Sequence, residues 1–125
     1  MAVAGPRQGE VWWCALDPAI GGEIAKTRPV LIVSVDRMNE QPARRSIVVP
    51  LTSTQRPAGV PIALEVKGTM RVSYAEAYQM RAVSHDRLTT RLGVASLEAR
   101  QAVSQQLALL TRNPATPLTS ARDER

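Results

Sequence analysis

Two short segments of this sequence group side chains that can do chemistry. Residues 23–29 (EIAKTRP) form a charged stretch that delivers Arg28 at the mouth of an apolar run, PVLIVSV. Residues 50–54 (PLTST) place the hydroxyls of Thr52, Ser53 and Thr54 where another apolar run ends. A guanidinium is a planar fork of donors suited to phosphate. Hydroxyl-rich strand ends are most often turn chemistry, and a lone arginine is most often a solvated charge. Taken singly, neither segment decides a function.

The rest of the inventory is chiefly informative by exclusion. His85 is the single histidine, so acid–base work by two histidines is impossible, and its setting, SHDRL, reads as a turn or surface position. Cys14 follows Trp12 and Trp13 in an apolar run and reads as a small buried hydrophobe. No G-x-S-x-G turn presents a nucleophile. One Cys, one His and unclustered acids leave no metal site in view, and no Gly-rich phosphate motif occurs, so no cofactor is expected.

The elements that must position Arg28 and the PLTST hydroxyls are short. Residues 10–16 (EVWWCAL) read as a strand bounded by Gly9 and Pro18, and residues 17–28 as a loop long enough to be functional. A second strand is expected over 29–35, with its Pro at the permitted first position. Residues 36–45 are a polar connection with room for one helical turn. A third strand is expected over 46–51, where Pro50 marks an edge or bulge, then a polar loop over 52–59 and a fourth strand over 62–66 closed by Gly68. Residues 72–83 favour one or two further strands.

The period changes over 96–111, where Leu97, Val103, Leu107 and Leu110 lie near one helical face. Ser96 suits the N-cap, Glu98 the first turn and Arg112 the last, and Pro114 stops the helix. Short strands followed by one C-terminal helix predict a mainly β fold, a small curved antiparallel barrel, as a single domain over 1–112. The Pro/Thr-rich stretch 113–125 is expected to be a disordered tail.

The chain has 125 residues and a net charge of +5, with 16 Lys and Arg against 11 Asp and Glu. All the cations but Lys26 and Lys67 are arginines. This permits a nucleic-acid partner without establishing one. No apolar run reaches the length of a membrane span, the N-terminus does not read as a signal peptide, and a single cysteine suits a reducing compartment. A cytoplasmic protein is expected.

Order and spacing of the segments carry more than any one of them. QGEVWWCALDPAIGGEIAKTRPVLIVSVD resembles the N-terminal signature of the MazF/PemK toxins: R/Q-G-E/D-V/I-W, then D-P-x-x-G-x-E, then R-P-V/A leading into an apolar strand. IVVPLTS at 47–53 looks like that family's second motif. AYQMRAVSHDRLTTRLG at 77–93 resembles its third, in which a Gln precedes a basic and apolar strand. The similarity spans roughly residues 7–111. It implies an SH3-like barrel with a C-terminal helix and a homodimer. It also implies metal-independent, sequence-selective cleavage of single-stranded RNA, and inhibition by a cognate antitoxin.

Carried over residue by residue, the resemblance puts the catalytic Arg at Arg28, the catalytic Thr at Thr52 and the acidic loop residue at Glu23. RNA contacts are expected from Lys26, Ser53, Gln79 and Arg81. Tyr78 departs from the pattern, since an Asp commonly precedes that Gln. Two rival readings remain open at the level of sequence: a gyrase-poisoning toxin of the CcdB kind, which shares the fold, and a non-catalytic nucleic-acid-binding barrel.

Overall fold

With no Phe in the chain, the core is assembled from Val, Leu, Ile and Ala. The computed structural model describes residues 5–16 and 27–114. Seven strands and two helices follow one another as β1 (Glu10–Ala15), β2 (Thr27–Ile32), α1 (Asp36–Asn39), β3 (Arg45–Thr52), β4 (Val60–Val66), β5 (Thr69–Ala75), β6 (Arg81–Ser84), β7 (Leu88–Val94) and α2 (Leu97–Thr111). Single 3-10 turns at Ala77–Gln79 and His85–Arg87 flank β6. Of the expected tail, residues 115–125 lie outside the described residues.

All pairings are antiparallel, and the sheet runs β4-β5-β3-β2-β1-β7, with β6 also paired to β3. β3 therefore has two partners along one edge: β6 over Arg45 to Val48 and β5 at Leu51 and Thr52. Pro50 falls in the gap between them, where its missing N–H costs the ladder nothing. β1 meets β7 with two register shifts, around Trp12 and Trp13. Such bulges bend a strand and raise its twist, which curls the sheet. The curl brings the two end strands together, close enough that a Cβ on Gly93 of β7 would stand 3.2 Å from Leu64 Cδ2 of β4. The expected curved barrel is what forms.

β2 and β3 run through the middle and bury both faces, which is why PVLI and IVVPL are nearly unbroken apolar runs. On one face Val11, Leu31, Val49, Leu51, Val60 and Ile62 pack with Val103 of α2. On the other, Cys14, Val30, Ile32, Val48 and Val83 pack with Trp12 and Leu88. Cys14 is fully buried there, as a small hydrophobe would be.

Helix α2 begins as expected, Ser96 Oγ accepting from the Ala99 amide at 3.1 Å. Its buried face differs from the expected one. Ala99, Ala102, Val103 and Leu107 meet the core, while Leu97 and Leu110 stand exposed. Small alanines let the helix lie close to the strongly curved sheet, and the leucines at its two ends overhang it. The 72–83 stretch divides into the end of β5, a 3-10 turn and β6, and β7 adds a strand that the apolar pattern did not announce.

Candidate active site

Arg28 and Thr52 are 24 positions apart in the chain, and strand pairing removes that distance. β2 and β3 pair with Val30 opposite Pro50, Leu31 opposite Val49 and Ile32 opposite Val48. Arg28, near the start of β2, and Thr52, the last residue of β3, lie two residues beyond the last of these pairs, at adjoining strand ends. Both are half-buried. Thr52 Oγ1 accepts from the Thr54 amide at 3.2 Å, which folds the chain back at the strand end.

The two side chains share an open groove of about 690 Å³. One wall is the β2–β3 end, with Thr27, Arg28, Thr52, Ser53 and Thr54. The opposite wall is the β4–β5 hairpin, with Lys67, Thr69, Arg71 and Ser73. Trp13, Leu64 and Leu92 add apolar surface. Among the described residues the lining includes three cations and six hydroxyls but no carboxylate and no His. A surface of that composition attracts an extended polyanion and offers it many donors.

The other sequence-derived candidates separate into three groups. Ser53 joins Arg28 and Thr52 in the groove. Glu23 and Lys26 lie outside the described residues. Gln79 and Arg81 are not part of the groove lining. Gln79 Nε2 donates to Glu76 Oε1 at 2.9 Å and to the Tyr78 hydroxyl at 3.1 Å. Glu76 is itself buried and meets Arg56 at 3.7 Å. Arg81 stands on β6 opposite Val48, several residues along β3 from Thr52. Sequence reasoning missed Lys67, Arg71, Thr69 and Ser73. The signal that could have found them is the Lys67–Gly68 pair between alternating segments, a two-residue hairpin turn.

His85 sits away from the groove. Ser46 Oγ is 2.8 Å from Asn39 Oδ1 and 2.9 Å from His85 Nε2. The Asn39 oxygen can only accept, so the single hydroxyl proton goes to it and His85 Nε2–H donates to Ser46. Burial, aided by the charge of Arg44, holds the imidazole below its ordinary pKa against the opposing pull of the Arg45 backbone and Asp86. The ring joins the turn after β6 to β3.

Comparison with known proteins identifies relatives of this chain. Residues 7–111 match the family described as PemK-like, MazF-like toxin of type II toxin–antitoxin system. Endoribonuclease MazF9 of Mycobacterium tuberculosis (strain ATCC 25618 / H37Rv) is 36% identical over 94 residues, covering 70% of this chain and 80% of that protein. Endoribonuclease PemK of Escherichia coli is 37% identical over 80 residues, covering 62% of this chain and 59% of PemK. In fold, the chain resembles the MazE–MazF crystal structure (Form-II) from Deinococcus radiodurans with a TM-score of 0.72 at 23% identity, covering 86% of this chain and 96% of that one. No helix among the described residues is long and apolar enough to cross a membrane. The family match spans both strand ends that meet in the groove, and the chain belongs to the PemK-like, MazF-like toxins of type II toxin–antitoxin systems.

Proposed function

We propose that this chain is a homodimeric endoribonuclease that cuts single-stranded RNA without a metal ion, with Arg28 and Thr52 at the cleaved bond, and that a cognate antitoxin silences it. The observation that carries this reading is that Arg28 and Thr52, at adjoining strand ends, line one groove of cations and hydroxyls. RNA supplies its own nucleophile. When the 2′-hydroxyl lies in line with the neighbouring phosphate, it attacks phosphorus, the bond to the 5′-oxygen breaks, and the products are a 2′,3′-cyclic phosphate and a 5′-hydroxyl.

An enzyme has to hold that alignment, stabilise charge growing on the phosphate oxygens and move two protons. Arg28 aims a charged fork of donors at those oxygens. Thr52 and Ser53 donate hydroxyl hydrogen bonds that fix the phosphate. Guanidinium is a poor proton acceptor, so we assign that part to Glu23, the acid nearest Arg28 in the chain.

The test is incubation with a long labelled RNA in excess EDTA, with end analysis of the fragments. Cleavage leaving cyclic phosphate and 5′-hydroxyl ends is expected, and RNA lacking the 2′-hydroxyl at the cut should bind without being cut. A strict need for added Mg²⁺ overturns the mechanism. No cleavage together with inhibition of gyrase transfers the chain to the CcdB kind of activity.

A further inference from the structure

The groove wall facing Arg28 and Thr52 has no part in the chemistry described above, yet it is built with care. Thr69, Arg71 and Ser73 occupy alternate positions of β5, so the pleat turns all three to one face, and all three line the groove. Leu64 of β4 stands opposite Arg71, and Val66 opposite Thr69. Lys67 and Gly68 alone join the two strands, with φ of 51° and 78°. A two-residue hairpin turn with both φ positive is type I′, which favours Asn-Gly or Asp-Gly. Lysine has no conformational reason to be there. Its side chain lines the groove.

Charge pairing points the same way. Arg7, Arg44, Arg56 and Arg91 each meet a carboxylate. Lys67 and Arg71 form no ion pair with any described residue. Two cations without a carboxylate partner on one tight hairpin, one of them in a conformation disfavoured for its type, suit an anion.

We propose that Arg71 and Lys67 each hold a further backbone phosphate of the RNA, Arg71 that of the nucleotide next to the cleaved bond and Lys67 one beyond it. The inference rests on reading the groove as an RNA-cleavage site. Thr52 lies opposite Tyr74, and Arg71 is three residues further along β5, roughly 10 Å at about 3.3 Å per residue. That offset assigns Arg71 to a neighbouring phosphate rather than to the one at Arg28 and Thr52. Trp13, Leu64 and Leu92 offer apolar surface for the intervening base.

Binding is read apart from cleavage by fluorescence anisotropy with a labelled 2′-O-methyl RNA oligonucleotide, which has no free 2′-hydroxyl to attack. Lys67→Asn suits the turn better than lysine, so its Tm should hold or rise while its affinity falls several-fold. Arg71→Gln should weaken binding likewise. Each should flatten the slope of log affinity against log salt by about 0.7. On cleavable RNA, KM should rise with kcat unchanged. A methylphosphonate at the neighbouring phosphate should weaken the wild type by a similar factor and add nothing to Arg71→Gln. If both variants keep wild-type affinity and salt slope, or lose kcat at constant KM, the subsite is wrong while the cleavage site stands. If the wild type neither binds nor cuts RNA, both readings fall together.

Discussion

Arg28 and Thr52 line one groove, but they are unequal partners for a phosphate. The arginine contributes charge and geometry at once, while the threonine contributes one hydroxyl. Arg28→Ala is therefore expected to lower the cleavage rate by about 10²–10³, the usual cost of removing a donor from a developing oxyanion. Arg28→Lys should not restore the rate, because a point charge cannot reproduce the bidentate fork. Thr52→Ala should be damaging and Thr52→Ser milder, since serine keeps the hydroxyl. Single-turnover rates on labelled RNA, with circular dichroism to establish folding, decide the matter. Alanine variants that fold normally and cleave at near-normal rates would remove both residues from the site. The sequence named this pair through the family motifs it resembles, RPV entering one strand and IVVPLTS closing another. It did not name Lys67 and Arg71, whose neighbours in VKGTMRVS are mostly exposed, so that the Lys67–Gly68 turn was their one signal.

At the level of elements, legibility followed burial. β2 and β3 are buried on both faces and were readable to within a few residues, whereas β7 (LTTRLGV) buries almost nothing and left no pattern. What holds β7 is backbone pairing to β1, the packing of Leu88 and Leu92, and an ion pair from exposed Arg91 Nε to buried Glu10 Oε2 at 2.7 Å. Glu10 also accepts from the Trp12 indole at 3.0 Å and the Arg7 amide at 2.9 Å. Burial pushes its carboxyl up, but the hydrogen bonds from Trp12, Arg7 and Arg91 outweigh it and hold the group below 4.5. The unfolded chain then binds a proton more readily than the folded one as pH falls. The stabilisation is thus complete above pH 4.5 and is lost as pH drops through the folded value. Glu10→Gln should cost about 1.5–3 kcal/mol at neutral pH, as loss of charge-assisted hydrogen bonds does. It should also flatten the acid limb of stability against pH in urea titrations. An unchanged acid limb would mean that Glu10 does not couple β1 to β7.

For the whole molecule, the net charge of +5 matters less than where the charge is left unneutralised. Carboxylates meet four arginines elsewhere on the barrel, Arg7, Arg44, Arg56 and Arg91, and no described acid lines the groove with Arg28, Lys67 and Arg71. A single strand that engages all three cations should show a slope of about −2 in log affinity against log salt, at about −0.7 per phosphate contact. Raising salt from about 50 to 200 mM should then cost roughly 10–20-fold in RNA affinity. An inhibitor that occupies the same groove meets the same field. An antitoxin segment should accordingly be acidic and extended, gaining rate and selectivity from charge and its tight hold from apolar anchors, with Trp13 the aromatic surface in reach. In a competition assay, with the protein running as a dimer by light scattering, such a segment should raise the KM for RNA without changing kcat. Its inhibition constant should weaken over the same salt range. An antitoxin that lowers kcat alone, or whose inhibition ignores salt, would place its contacts elsewhere on the barrel.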